Sequence, residues 1–180
     1  YYTPEAYVPR SDTYIEKDSS VNDEIDRLLH SATAALLTRR DVIVVASVSA
    51  IYGLGPPNTY LEHMLYMRVG ETHNQRDVLG RLIDMQYERN DINLVRGKFR
   101  VRGDTLEIHP AYEEFVVRIE LFGDDVERIA KVDPVTGERL EELEEVTVFP
   151  ASHYVTDGNT IQRAISDIEA ELQQQLAAFE

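Results

Sequence analysis

Apolar and polar side chains alternate between positions 98 and 122, and this pattern predicts a meander of three short β-strands. A period of two residues is the spacing of a strand with one buried face. Residues 102–104 interrupt the pattern as a turn, and Pro110 ends the second run because proline cannot donate to a ladder. We therefore expect an apolar face and an opposite, polar face that carries four charged side chains: Arg100, Arg102, Arg118 and Glu120.

The charge balance narrows the class of function. The 33 acidic and 18 basic residues give a net charge of −15 over 180 residues. This balance argues against a protein that binds nucleic acid over its whole surface, because phosphate binding needs positive potential. One interval is basic nonetheless, since only Asp91 opposes five cations between positions 89 and 102: Arg89, Arg96, Lys98, Arg100 and Arg102. Contact with an acidic or anionic partner is therefore expected to be local.

Several site types are not expected in this sequence. The absence of cysteine excludes disulfides, thiolate nucleophiles and zinc ribbons, and it fits a reducing cytoplasm. The five histidines lack metal-ligand spacing, so no metal site is expected. The longest strongly apolar run, residues 42–46, is too short to span a bilayer, and we find no signal peptide. We therefore expect no membrane contact. Because the chain begins with two tyrosines and ends inside a helical pattern, we interpret it as a fragment of a longer protein.

The first eighteen residues predict an aromatic hairpin. They hold four of the ten tyrosines, and β-prone residues flank a polar turn at 10–12. Few apolar residues nearby could bury these rings. The rings could therefore stack on nucleobases, at about 1–3 kcal/mol per base, or dock onto another protein domain, and the residues leave both alternatives open. The tyrosines concerned are Tyr1, Tyr2, Tyr7 and Tyr14.

The next segment predicts a helix followed by a buried strand. Helical spacing of apolar residues after a capping sequence extends from position 23 to about 39. Residues 41–48 are nearly continuous β-branched residues, which is typical of a strand buried on both faces of a mostly parallel sheet. The loop at 47–55 lacks the spacing and the basic residue of a phosphate-binding loop, so we interpret it as an ordinary connection.

The remaining patterns complete an α+β fold. We expect helices at 59–65 and 74–86, strands at 66–69, 126–132 and 146–149, and an amphipathic helix from 161 to 179. The glutamate-rich run at 138–145 is typical of a solvated sheet edge. The predicted architecture is a small inserted domain with a mainly antiparallel sheet and flanking helices, attached to a slice of an α/β domain and a partial β-hairpin.

Several strings, in this order along the chain, resemble the UvrB family of bacterial nucleotide-excision repair, which comprises damage-verifying relatives of helicases. The strings are YY at 1–2, PEAY at 4–7, IEKD at 15–18, RDVIVVASVS at 40–49, IYGLG at 51–55, RND at 89–91, FRVRGD at 99–104 and FPASH at 149–153. The resemblance implies a partial DNA-engaging β-hairpin at 1–20, part of a helicase-like α/β scaffold at 21–62, an inserted UvrA-binding domain at 63–156, and a helix at 157–180 that returns to the scaffold.

The resemblance also implies two sets of site residues. In the family, hairpin tyrosines bracket the DNA and a charged pair locks the hairpin, which corresponds here to Tyr1, Tyr2, Glu5, Tyr7, Tyr14 and Lys17. The residues that dock UvrA correspond to Arg89, Arg100, Arg102, Arg118 and Glu120. The implied partners are therefore UvrA, damaged DNA and, through the longer parent protein, UvrC.

The resemblance carries no catalytic residue onto this chain. Both Walker motifs are absent from the sequence, so we expect no cofactor here, and ATP with magnesium only in the parent. Three alternatives remain. One is the UvrB-like module of a transcription-repair coupling factor, although the tyrosine-rich hairpin favours UvrB. Another is a purely structural interaction domain. The last is a hydrolase using Asp104, Glu107 and His109, which lacks a paired nucleophile and an oxyanion loop.

Overall fold

A computed structural model describes residues 6–15, 23–46, 57–153 and 158–179. In these ranges the chain forms four helices: α1 (Asp23–Thr38), α2 (Pro57–Glu62), α3 (Gln75–Asp84) and α4 (Gly158–Phe179). The strands are β1 (Ala6–Val8), β2 (Thr13–Ile15), β3 (Leu65–Arg68), β4 (Glu88–Arg89), β5 (Lys98–Arg102), β6 (Thr105–His109), β7 (Val116–Phe122), β8 (Asp125–Val132), β9 (Arg139–Leu143) and β10 (Glu145–Val148). This α+β content confirms the predicted fold class.

The main sheet contains six strands in the order β4-β5-β6-β7-β8-β9. All neighbouring strands are antiparallel except β4 and β5. The predicted meander is confirmed as β5, β6 and β7. Strands β3 and β10 form a separate antiparallel pair, as do β1 and β2.

Two of the hairpins in the main sheet turn on the same dipeptide. Gly103-Asp104 joins β5 to β6, and Gly123-Asp124 joins β7 to β8. The glycines have φ of +60° and +65°, and neither aspartate has a positive φ. A positive φ at the first loop position alone fits a type II′ turn, whose twist matches that of the flanking strands. The turn chemistry therefore fixes the pairing of β5 with β6 and of β7 with β8.

The main core lies between the apolar face of the sheet and a layer formed by α3, β3 and β10. Asn74 caps α3 by accepting a hydrogen bond from the backbone N–H of Arg76 at 3.1 Å. The sheet contributes alternate residues of the meander, as predicted: Phe99, Leu106, Ile108, Val117, Ile119 and Leu121. The covering layer contributes Leu65, Met67, Val78, Leu82, Met85 and Val148. Burying these side chains is the main stabilisation of the domain.

A second, aromatic cluster connects α1 to the sheet domain. Tyr60 and Tyr112 both pack against Phe149, with ring centroids 5.9 Å apart in each pair. Beside them, the His30 and His153 rings stack at 4.0 Å, and Thr33 Oγ1 lies 2.9 Å from His153 Nε2. Helix α1 is therefore held by a stack of two neutral imidazoles.

The histidine stack predicts a loss of stability in acid. Burial, with a smaller contribution from the neighbouring His153, lowers the pKa of His30 from 6.5 to about 4. Burial also lowers the pKa of His153, although Asp26 opposes this shift. Because the folded state holds His30 neutral, the stack is fully stabilising above pH 6.5 and loses its contribution as the pH falls towards 4. Since solvent partly screens the pair, we expect a loss of about 1–2 kcal/mol in the free energy of unfolding.

Urea denaturation at pH 7.0, 5.5 and 4.5 measures this dependence. His30→Phe keeps an aromatic ring in the stack without a titrating group, so its stability should change less with pH than that of the parent chain. Leu36→Phe places a phenylalanine on the same helix at an exposed position outside the stack and removes no titrating group, so as the control it should retain the parental slope. Equal slopes for the parent and His30→Phe would contradict the prediction.

One predicted strand is absent from the structure. Residues 42–46 have no strand assignment, and Ile43 and Val45 are 92% and 95% exposed. A β-branched run becomes a strand only where a neighbour completes its ladder, and none of the described strands pairs with it. Residues 47 and 48 of that prediction, and most of the loop at 47–55, lie outside the described residues.

The other predicted elements agree with the structure to within a few residues. The helix predicted at 59–65 is α2, which ends earlier because Leu65 already begins β3. The glutamate-rich run at 138–145 contains β9, an exposed edge strand of the main sheet, as predicted. Helix α4 carries its predicted apolar stripe, which is exposed in the described chain. No helix in the described ranges has both the length and the apolar character of a membrane span.

Candidate partner-binding surface

The strand register places the predicted charged residues in two neighbouring rows on the polar face. One row runs from Arg100 through Glu107 to Arg118, and the next runs from Arg102 through Thr105 to Glu120. Residues in register across a sheet share a face, so the shared polar face predicted for Arg100, Arg102, Arg118 and Glu120 is confirmed. The apolar core lies on the opposite side of the sheet.

Glu107 lies at the centre of the first row, between two guanidinium groups. Arg118 Nε donates to Glu107 Oε1 at 2.9 Å, and Arg100 Nε donates to Oε2. The Glu107 side chain is only 5% exposed. Burial raises the pKa of this carboxyl, but the hydrogen bonds and positive charges of the two arginines outweigh burial, so the pKa lies below its usual value. Glu107 is therefore held as a buried carboxylate.

The second row is more open to solvent. Arg102 is exposed, and no carboxylate of the described residues lies within ion-pair distance of its guanidinium. Glu120 is half-buried and accepts a hydrogen bond from Arg128 at 3.4 Å, while Arg128 Nε also lies 3.7 Å from Glu142 Oε1. The polar face thus carries both signs of charge. Arg102 is an exposed cation on this face, and it has no ion pair among the described residues.

Arg89 stands apart from the other predicted docking residues. It pairs in register with Phe99 on β5, so strand alternation directs it away from Arg100 and Arg102. Its guanidinium makes hydrogen bonds of 3.0 to 3.3 Å to the Asp91 carboxylate, and these bonds are the main cause of the lowered pKa of Asp91. Asp91 also accepts a hydrogen bond from the Val101 N–H at 3.2 Å. Arg89 and Asp91 therefore form the rim of the sheet beside β5.

The predicted hairpin residues are described only in part. Strands β1 and β2 pair antiparallel around the predicted turn, and Tyr7 lies opposite Tyr14 in the register. Tyr1, Tyr2, Glu5 and Lys17 lie outside the described residues.

The geometry does not favour the hydrolase alternative. Asp104 lies in the Gly-Asp turn, and the Glu107 carboxylate is occupied by two arginines. Burial lowers the pKa of His109, which lies at the end of β6 beside a cavity of about 710 Å³ under α1. A carboxylate of lowered pKa held in two ion pairs is a poor general acid or base near neutral pH. Among the described residues, no group of three or more potential ligands could hold a metal ion.

The partnership of Glu107 with the two arginines was not predicted from the sequence. The sequence does contain a signal for one of the two pairings, that of Arg100 with Glu107. A two-residue loop at 103–104 pairs Arg102 with Thr105 and therefore Arg100 with Glu107. Arg128 was also missed, because its position opposite Glu120 depends on the second Gly-Asp turn and on a bulge that follows Glu120.

The residues that carry this surface match a known protein family. Residues 65–154, half of the chain, match the family described as the UvrB interaction domain. The chain is similar to UvrABC system protein B of Streptomyces coelicolor, with 59% identity over the whole chain, and of Thermobifida fusca, with 57%. It is 61% identical over 99% of its length to the same protein of a Synechococcus strain. It spans only 25–26% of these relatives. The six-stranded sheet and its polar face lie within the matched residues, and the chain belongs to the UvrB interaction domain family.

Proposed function

We propose that this chain docks UvrA through the polar face of its six-stranded sheet. The observation that carries the proposal is the convergence of Arg100, Arg102, Arg118 and Glu120 on one face within the residues that match the family. The relatives are named UvrABC system protein B, which supports a partner within that system. The docking of UvrA by these residues is our assignment.

The chemistry of the face suits an acidic protein surface. Guanidinium groups make planar, two-point pairs with carboxylates, which fixes orientation as well as charge. In a chain of net charge −15, long-range attraction to a polyanion is weak, so recognition depends on the local cations. Glu120, which Arg128 contacts at 3.4 Å, adds a carboxylate to a mainly positive face, and this negative charge would disfavour a uniformly acidic partner. We therefore propose a UvrA surface that is mainly acidic but presents a basic group opposite Glu120.

Isothermal titration of the 180-residue chain into purified UvrA tests this proposal at two salt concentrations. We expect a saturable complex whose affinity falls as salt increases, because ion pairs at the rim of an interface are screened. Absence of a complex at low salt would refute the assignment. An affinity that does not depend on salt would place the contact on an apolar surface instead.

We also propose that the tyrosine hairpin engages damaged DNA in the longer protein. The antiparallel pairing of β1 with β2, with Tyr7 opposite Tyr14 in the register, supports the hairpin, and its tyrosine content supports stacking on bases. The proposed DNA-binding set remains Tyr1, Tyr2, Glu5, Tyr7, Tyr14 and Lys17.

Changing Tyr1 and Tyr2 to alanine in the full-length parent should weaken binding to damaged DNA by a few kcal/mol at most, since stacking contributes about 1–3 kcal/mol per base. UvrA binding should not change, because docking is assigned to a different surface. Gel-shift titration with damaged DNA and calorimetry with UvrA measure the two effects separately. Unchanged DNA binding would indicate that these tyrosines instead dock onto protein.

For nucleotide chemistry, we propose that ATP and magnesium act in the parent protein and that UvrC joins the parent complex in the cytoplasm. The present sequence contains neither Walker motif. The purified 180-residue chain should therefore release no phosphate from ATP above the buffer rate. Turnover that persists through repeated purification would contradict this proposal.

A further inference from the structure

We infer that Glu107 is a positioning residue of the docking face, which holds Arg100 and Arg118 in the orientation that the partner meets. This inference rests on the proposed docking of UvrA and adds a residue that would act through the two arginines. In this role Glu107 would not itself contact the partner, since its side chain is buried beneath them.

The three side chains come from three neighbouring strands. Arg100 on β5 and Arg118 on β7 flank Glu107 on β6, and the register places all three in one row. Each carboxylate oxygen is assigned to a different arginine: Oε1 accepts from Arg118 and Oε2 accepts from Arg100. The carboxylate therefore fixes two guanidinium groups at once, on opposite sides of its own strand.

The contacts leave part of each guanidinium available. Arg100 uses Nε, and Arg118 uses Nε together with Nη2, which lies 2.8 Å from Glu107 Oε1. Among the described residues, both terminal nitrogens of Arg100 and Nη1 of Arg118 have no hydrogen-bond acceptor. The two arginine side chains are 20% and 26% exposed. These nitrogens remain as donors for a carboxylate of the partner.

A buried carboxylate is a costly way to stabilise a sheet. Removing its charge from water carries a desolvation penalty, and apolar residues of similar volume usually stabilise a fold at least as well as a buried ion pair. The neighbouring positions of the polar face hold Thr105 and Ala130, which impose no such penalty. Glu107 instead holds the two arginine side chains in a fixed orientation. Without it, two like charges on either side of β6 would repel and sample several rotamers, and binding would then have to order them.

The test compares affinities for UvrA by calorimetry, using the 180-residue chain. Glu107→Gln keeps the shape of the side chain but removes its charge, and we expect at least fivefold weaker binding. In a chain that already carries Arg100→Ala and Arg118→Ala, the same change should alter affinity by less than twofold, because Glu107 acts through those arginines. Glu141→Gln is the matched control. It neutralises a carboxylate paired with Lys131 at 2.6 Å, outside this row, and should bind like the parent.

A second pair of variants separates orientation from charge. Arg100→Lys and Arg118→Lys retain the positive charge but lack the guanidinium fork that holds Glu107 and also presents further donors. Each should lose at least half as much affinity, on a logarithmic scale, as the corresponding alanine variant. These lysine variants also decide the question if thermal denaturation shows that Glu107→Gln does not fold.

The outcomes separate this inference from the proposed function. If Arg102→Glu weakens binding while Glu107→Gln and both lysine variants bind like the parent, the docking face stands and the positioning role is refuted. An equal effect of Glu107→Gln with and without the two arginines would also refute it. If the parent chain forms no complex with UvrA, the docking assignment is wrong and the inference fails with it.

Discussion

Arg102→Glu should weaken the binding of UvrA by at least about 2 kcal/mol, or roughly thirtyfold, if Arg102 is a hot spot of the interface. Arg102 is an exposed cation of the polar face that lacks an ion pair among the described residues, so reversing it removes only a longer-range attraction to the Asp91 carboxylate. Against an acidic partner, the reversal replaces an attraction with a repulsion. The free energy of unfolding should change by less than about 0.5 kcal/mol.

Arg76→Glu is the matched control for this reversal. Arg76 is exposed on α3, which covers the opposite side of the sheet, and the change in charge is identical. Calorimetry at two salt concentrations should show a loss of affinity for Arg102→Glu but not for Arg76→Glu. The remaining affinity of Arg102→Glu should depend less on salt than that of the parent chain. Equal affinities for the two variants would move the docking site away from this face. Arg100→Glu is less suitable, because it would place a second carboxylate beside buried Glu107.

Phe99→Ala should lower the free energy of unfolding by about 3–5 kcal/mol. Phe99 is fully buried at the centre of the main core, where strand β5 faces the covering layer. Its removal deletes a large apolar contact and leaves a cavity that a close-packed interior fills poorly. Because Phe99 lies between Lys98 and Arg100 on the same strand, the polar face should lose its geometry as the core loosens.

Phe122→Ala makes the same chemical change at the end of β7, where the ring is 73% exposed. Urea denaturation should show a loss of less than about 1 kcal/mol for this control. Similar losses for the two variants would mean that the meander does not pack as described. A large loss for Phe99→Ala with unchanged affinity for UvrA would separate the sheet core from the docking surface.

The local parts of this fold could be predicted because each depends on a short pattern. Alternation identified β5, β6 and β7, and their faces followed from the parity of residue numbers. The pairing of Arg100 with Glu107 was within reach, since a two-residue turn fixes that register. The pairing of Glu107 with Arg118 was not, because the connection at 110–115 is too long to determine a register from sequence. The buried carboxylate therefore needed the structure.

Other features depended on contacts between distant residues. The stack of His30 on His153 joins positions that are more than a hundred residues apart, and neither histidine has a local pattern that suggests the other. The hydrogen bond from the Tyr87 hydroxyl to the Phe149 carbonyl, at 2.8 Å, also joins residues that are far apart in the sequence. The strand predicted at 41–48 was wrong for its described residues, 41–46, for a different reason. Its β propensity was strong, but propensity cannot supply a neighbouring strand.

The open edge of the main sheet has a consequence for how copies of this chain meet. Strand β9 presents unpaired backbone groups to solvent and is an obvious template for a strand from another molecule. It is flanked and occupied by Glu138, Glu141, Glu142, Glu144 and Glu145. A second copy aligned edge to edge would bring these carboxylates together, and their repulsion opposes fibre-like extension of the sheet.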